Sequence, residues 1–280
     1  MTQPLTFPPS PFNQQDAIHC GDLVETAYDM YSQWKKLGKP NQADFNQKWS
    51  PQKPSWSSQV NLKFSQPIWG TDKVLDSRDP EPFAVIAWGD NGVTYLAIRG
   101  TESGADWFKN IEFCKTDYSF APNYGRVEDG FQSIYSTMHE SIIQTLKAIQ
   151  NSQLLYITGH SLGSSLSTLS VPDILENTNF TSSNVVQYNF ASPKVGDSNF
   201  KSAYDNNGVV TYRFVNQVDL VPKVPDSFED PYEHINQEVS FSANYWNVAN
   251  NHNMSCSYMY ALNHPDNPKN PNMEACVQES

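Results

Sequence analysis

The stretch Leu154-Leu155-Tyr156-Ile157-Thr158-Gly159-His160-Ser161-Leu162-Gly163 decides how this chain is read. Its first five residues read as a buried strand, and the small-residue run over 161–175 reads as a helix. Between them lies G-x-S-x-G, the pattern of a serine set on a sharp strand-to-helix turn. Glycines two before and two after the serine leave room where the two backbones converge. Such a turn holds the serine Oγ above the sheet. The following helix aims its first N–H groups and its positive dipole end at the same point, where an oxyanion would form. Ser161 is therefore the candidate nucleophile.

Outward from this turn the pattern alternates. Upstream, FAVIAW over 83–88, the turn GDNG and VTYLAI over 93–98 predict a hairpin. Residues 129–149 place Phe131, Ile134, Met138, Ile142, Leu146 and Ile149 at helical spacing and predict one long amphipathic helix. Downstream, VVQYNF over 185–190 and VVTYRFV over 209–215 alternate with helical segments, as parallel βαβ units do. The fold class is α/β, with a mostly parallel central sheet, helices on both faces and an N-terminal helical extension. Residues 14–37 supply that extension, with Ile18, Leu23, Val24, Ala27, Tyr28, Tyr31 and Trp34 near a 3.6 period. A single domain over 1–280 is expected: 1–79 a helix and a Pro-rich excursion pinned by Trp49, Trp56 and Phe64, 80–262 the catalytic core, 263–280 a tail.

Charge and composition exclude several classes. Across 280 residues, 18 basic side chains face 30 acidic ones, a net charge of −12, which is wrong for a phosphate-tracking nucleic-acid binder. No apolar run approaches the roughly 18–20 residues that cross a bilayer. The first residues carry no Lys or Arg before Lys35 and no apolar core, so no secretory signal is expected in the sequence as written. That points to the cytoplasm, or to secretion if the sequence is a mature form. Cys20, Cys114, Cys256 and Cys276 make no C-x-x-C pair, and four free thiols are expected, with Cys256 and Cys276 the pair to test for a bridge.

A serine nucleophile at this kind of turn needs an acid and then a histidine downstream, each beyond the C-terminal end of a strand. Asp219 follows the strand over 209–215 and precedes two prolines that stiffen its loop, which makes it the leading acid. Asp197, Asp205, Asp226 and Asp230 are the alternatives. Three histidines follow Ser161: His234 near a further strand-like segment, His252 before a final apolar-aromatic helix, and His264 in the Pro- and Asn-rich tail.

Five ordered stretches resemble the class 3 lipase family of α/β hydrolases. They are Ile98-Arg99-Gly100-Thr101, Gly159-His160-Ser161-Leu162-Gly163, Phe190-Ala191-Ser192-Pro193-Lys194-Val195-Gly196, Asp219-Leu220-Val221-Pro222, and His252-Asn253-Met254 followed by Tyr258. The chain departs from the family pattern at Ile98, Glu128, Ser164, Ala191 and Lys194, and none of these touches the triad. The resemblance spans about residues 80–262. It implies a catalytic set of Ser161, Asp219 and His252, with Thr101 and the backbone N–H of Leu162 as the oxyanion hole. Trp107 is similar to the family's lid tryptophan; a plain core aromatic is the alternative. The implied activity is hydrolysis of carboxylic esters through an acyl-serine, acylglycerols first, with short-chain esters, phospholipids or galactolipids as alternatives. An inert lipid-binding protein on the same scaffold is the reading from another class. No metal or organic cofactor is expected, and the partners are the lipid or other ester substrate, with transient binding at its interface, by a monomer.

Overall fold

The computed structural model describes residues 2–71, 79–101, 113–226, 229–235 and 237–279. Helices α1 (Gln14–Lys36) and α2 (Gln42–Lys48) precede strands β1 (Lys63–Phe64), β2 (Ile68–Gly70), β3 (Glu81–Trp88) and β4 (Val93–Ile98). Then come β5 (Lys115–Asp117), β6 (Arg126–Glu128), α3 (Asp129–Ser136), α4 (His139–Ala148), β7 (Leu154–His160) and α5 (Leu162–Asn177). The chain continues through β8 (Val185–Phe190), α6 (Ser198–Asp205), β9 (Val210–Asn216), β10 (Gln237–Phe241) and α7 (Val248–His252). A π-helical segment Met254–Met259, α8 (Tyr260–Asn263) and α9 (Met273–Glu279) complete it.

An eight-stranded sheet runs in the order β1-β3-β4-β7-β8-β9-β10, with β2 also on β3. The hairpin expected over 83–98 is the antiparallel β3–β4 pair, and from β4 to β10 every pairing is parallel. Side chains alternate across the strands, so each strand feeds two cores. Tyr95 and Ala97 of β4 and Tyr156 of β7 face α1, where they meet Leu23, Val24, Ala27 and Trp34. Leu96, Ile98, Leu155 and Ile157 face the other way, into the layer of α3, α4 and α5. The α1 face carries a row of rings across neighbouring strands: Tyr95–Tyr156 at 5.4 Å, Tyr156–Tyr188 at 5.8 Å and Tyr188–Tyr212 at 5.3 Å between centroids. Rings do here what aliphatic side chains do in most cores, and they supply dispersion contacts with defined geometry.

The excursion over 38–67 is held down by aromatic residues, but Phe45 and Trp56 are the buried ones and Trp49 is only partly so. Trp56 also donates its indole N–H to Asp22 of α1, 2.8 Å away. Three expectations need correction. The single helix over 129–149 is two, because Ser136 and Thr137 return their hydroxyls to the carbonyls of Ser133 and Ile134 and the backbone tightens to i→i−3 bonds at Thr137 and Met138. The four thiols are not all free: Cys256 and Cys276 form a disulfide, which leaves Cys20 buried and Cys114 exposed. The 263–280 segment is consequently more than a decorated tail, since the bridge ties α9 to the π-helical segment and Asn270 is buried against the Cys256 carbonyl. No described helix is long and apolar enough to cross a membrane.

Glu25 of α1 lies in the seam facing Ser255, and burial pushes its carboxyl up to about 7 from an ordinary 4.5. Its raised value means the folded state holds the proton more tightly than the unfolded chain. The stability this contributes is present below about 4.5 and is lost as pH rises through about 7. Glu25→Gln should therefore match the parent near pH 4 and exceed it by about 3 kcal/mol at pH 8, read as the difference between urea unfolding curves across that range.

Candidate functional site

The loops that leave the C-terminal ends of β4, β7 and β9 meet α7 at one edge of the parallel sheet. At the end of β7, Ser161 adopts φ 58°, ψ −128°, a left-handed conformation that costs a non-glycine residue about 1–3 kcal/mol. Packing around it supplies the compensation. The Ser161 N–H donates to the Phe190 carbonyl at 3.0 Å. The Ser164 hydroxyl reaches the carbonyls of Gly159 and Phe190, each at 2.7 Å. A Cβ on Gly159 would strike the Gly163 carbonyl, and one on Gly163 would strike the carbonyl oxygen of Ile98. Both glycines are therefore demanded by the approach of α5 to β7 and to the end of β4.

The acid comes from the loop after β9. Asp219 is fully buried, and its two oxygens are differently employed. Oδ1 accepts the Val221 N–H at 3.0 Å, while Oδ2 accepts the Tyr258 hydroxyl at 2.8 Å and the His252 Nδ1–H at 2.7 Å. Because Nδ1 carries the proton toward Asp219, the Nε2 of a neutral His252 presents a lone pair. Asn216 ties the acid's loop to the histidine's, donating from Nδ2 to the carbonyls of Ala243 and Asn251 at 3.0 and 3.1 Å. Its own N–H donates to the Tyr258 hydroxyl at 3.1 Å.

Thr101 closes the site from β4. The Arg99 guanidinium before it is buried between the rings of Tyr31 and Phe83, at 3.7 and 4.4 Å from their centroids. It donates to the carbonyls of Pro82 and Gly100 and to the Glu81 carboxylate, at 2.8, 2.7 and 2.6 Å. An arginine spent this way fixes the direction in which the chain leaves β4. A Cβ on Gly100 would come within 2.8 Å of the Ser161 Cβ, so the loop runs directly beside the serine. Among the described residues, Ser161 Oγ, His252 Nε2 and Thr101 Oγ1 are buried here without a hydrogen-bond partner. The Leu162 N–H opens α5, where a helix has no carbonyl one turn back to receive it.

The other candidates are engaged elsewhere. His234 Nε2 donates to the Pro222 carbonyl at 2.6 Å, and burial with Arg213 nearby pushes its value down to about 3, so the ring is neutral and structural. His264 stacks on Tyr260 at 4.1 Å. Asp197 caps α6, Asp205 pairs with Lys201, Asp226 is exposed, and Asp230 bridges Lys115 and Arg126. Trp107 lies outside the described residues. Among the described residues no cluster of His, Cys, Asp and Glu has the arrangement of a metal centre.

Sequence reasoning missed the role of Tyr258, although it stood in a quoted motif, and missed Asn216, Tyr28 and His160. The Tyr28 hydroxyl lies 2.8 Å from His160 Nδ1 and accepts the Gly100 N–H at 3.0 Å, while His160 Nε2 lies 2.9 Å from the His252 carbonyl. Tyr28 is 132 positions from its partner, and no local spacing signals such a contact.

Residues 95–229 match the family model for lipase (class 3). The chain is 33% identical over 141 residues to secreted mono- and diacylglycerol lipase A of Penicillium cyclopium, covering 48% of this chain and 44% of that one. It is 28% identical over 197 residues to a chloroplastic phospholipase A(1) of Arabidopsis thaliana, covering 64% of this chain and 41% of that one. It thus spans less than half the length of the curated relatives it matches. The solved Rhizomucor miehei lipase–propeptide complex superposes at a TM-score of 0.63 and 21% identity, over 84% of this chain and 70% of that chain, which shows a common fold.

Removing the Tyr258 hydroxyl would leave the buried Asn216 N–H without its acceptor and Asp219 with one donor fewer. Tyr258→Phe should lower unfolding free energy by about 1–3 kcal/mol, measured as a shift of the urea midpoint at unchanged slope.

Proposed function

We propose, from the match of residues 95–229 to the class 3 lipase model, that the chain belongs to that family and hydrolyses carboxylic esters of lipids, acylglycerols first, through an acyl-serine intermediate. One observation carries the reading. Among the described residues, the serine Oγ, the histidine Nε2 and the threonine Oγ1 are all buried without a partner, and these are the atoms that nucleophilic acyl transfer uses.

Ser161 Oγ attacks the ester carbonyl carbon as His252 Nε2 takes its proton. Asp219 fixes the imidazole tautomer through the 2.7 Å bond to Nδ1 and stabilises the imidazolium that forms. Negative charge gathers on the former carbonyl oxygen, which the Leu162 N–H and Thr101, through its N–H and hydroxyl, receive. The tetrahedral intermediate collapses, the C–O bond to the alcohol breaks, and His252 returns the proton to the leaving oxygen. Water then attacks the acyl-serine, giving its proton to Nε2, and the carboxylic acid leaves as Ser161 is reprotonated.

Leu220 beside Asp219, with Trp246 and Val248 ahead of His252, are large apolar side chains left exposed on the two loops that carry the acid and the base. A rim of that kind favours esters presented at a lipid surface over small dissolved ones. The likeness to a phospholipase A(1) makes phospholipids the second substrate class. The Cys256–Cys276 disulfide and the secreted relative support an extracellular or secretory setting rather than the cytoplasm.

Hydrolysis of p-nitrophenyl esters from acetate to palmitate, above and below their solubility limits, tests the proposal. Ser161→Ala should keep the fold and lose about 10⁴-fold or more in kcat. The rate on long chains should rise once an interface is present. Parent-like activity in Ser161→Ala would remove the serine as nucleophile.

A further inference from the structure

We propose that Tyr28, on α1 and upstream of the segment that matches the family model, is a positioning residue of the ester-cleaving site, holding the loop of Gly100 and Thr101 and, through His160, the backbone of His252. The inference rests on the assignment of Ser161, His252 and Thr101 given above. The hydrogen bonds admit one direction. A carbonyl only accepts, so His160 Nε2 carries the proton that reaches the His252 carbonyl at 2.9 Å. Nδ1 of the neutral ring is then a bare lone pair, and the Tyr28 O–H donates to it at 2.8 Å. The Tyr28 oxygen receives the Gly100 N–H at 3.0 Å.

One chain of three bonds thus runs from the oxyanion loop through the N-terminal helix and the turn's own histidine to the base. Burial and the adjoining His252 push the protonation of His160 far below the ordinary histidine range, so its ring stays neutral beside His252. The two rings lie 4.6 Å apart, and a neutral neighbour leaves His252 free to take the positive charge that catalysis puts on it. Tyr28 itself sits on a firmly held helix. Three residues on, Tyr31 covers Arg99, and two residues back, the Thr26 hydroxyl bonds the Gln52 carbonyl at 3.1 Å.

Tyr28→Phe keeps the ring and deletes the hydroxyl's bonds to His160 and Gly100; His160→Phe keeps a ring against His252 and deletes the other end of the chain. Active serines are counted with a fluorophosphonate, and rates are expressed per labelled site, so that misfolded protein does not enter. Tyr28→Phe should lower kcat about 10- to 100-fold with KM within about twofold of the parent, and the double variant should lose no more than the worse single one. A purely structural tyrosine would lower Tm and leave kcat per labelled site at the parental value, and that result overturns the proposal. Additive losses in the double variant also overturn it. If Tyr28→Phe does not fold, an unchanged kcat per labelled site in His160→Phe has the same force. Parental activity in Ser161→Ala would instead sink the underlying assignment.

A separate observation concerns covalent modification. The tripeptide Asn-x-Ser/Thr occurs twice, at Asn179-Phe180-Thr181 and at Asn253-Met254-Ser255. The second is engaged: Asn253 Oδ1 accepts the Cys256 N–H at 2.7 Å and caps the π-helical segment next to buried His252. Asn179 is exposed, on the loop from α5 to β8, at the sheet edge opposite Ser161, with the buried ring of Phe180 anchoring the loop beside it. We infer that Asn179 is the acceptor of an N-linked glycan, a step in which its amide nitrogen displaces the diphosphate of a lipid-linked oligosaccharide, forms an N–C1 bond and loses a proton. This rests on the secretory setting proposed above.

The full chain secreted from a eukaryotic host should lose mass on treatment with a peptide N-glycosidase, and Asn179→Gln should abolish that loss while Asn253→Gln should not. Secreted chain with no mass change, or with the change lost only in Asn253→Gln, overturns the inference. Thiol counting in denaturant reads the setting separately: two of the four cysteines should react if the disulfide forms.

Discussion

The site depends on a backbone contact with no room for a side chain. Where α5 leaves Ser161, the carbonyls of Ile98 and Arg99 at the end of β4 occupy the space that a Cβ on Gly163 would need. That contact sets the separation of helix and strand, holds Ser161 in its left-handed conformation, and lays the loop of Gly100 and Thr101 alongside it. Nucleophile and oxyanion loop are therefore positioned by one close approach, and hydrogen bonds such as those of Ser164 hold the result in place.

Acid and base are arranged by different means. Their loops are irregular, and what aligns them is a buried polar lattice in which Asn216, Asp219, Tyr258 and the backbone at Ala243 and Asn251 satisfy one another. Such a lattice is rigid only when complete, because any unmatched member is stranded away from water. Completeness here stops at the three atoms that a substrate would meet.

The strand-turn-helix unit and the order of strands were legible because each is written locally: β-branched runs, a hairpin turn, glycines at fixed offsets. Chain order and strand ends leave five acids and three histidines as candidates, and the family resemblance singles out Asp219 and His252 among them, the pair the structure brings within 2.7 Å of each other. The break between α3 and α4 was not, since it turns on hydroxyls of Ser136 and Thr137 competing for carbonyls that the apolar period ignores. The disulfide was legible only as a pair to test, because nothing in a Pro- and Asn-rich stretch says that the tail folds back to bring Cys276 to Cys256. Tyr28 was least legible of all. Its face of α1 reads as ordinary core packing, and only tertiary structure brings a helix-borne hydroxyl to the turn of a distant strand.

The arginine buried beneath the oxyanion loop joins the segment that matches the family model to the part of the chain that precedes it. The match to the family model begins at residue 95, yet Arg99 is sandwiched by Tyr31 from α1 and Phe83 from β3, both upstream of that point. The boundary of the family-model match is therefore not the boundary of the working unit. A fragment cut at residue 95, or a chimera joined there, would strip the aromatic cover from a buried cation and delete β1, β2 and β3 from the sheet, leaving a recognisable motif without the enclosure that lets it react.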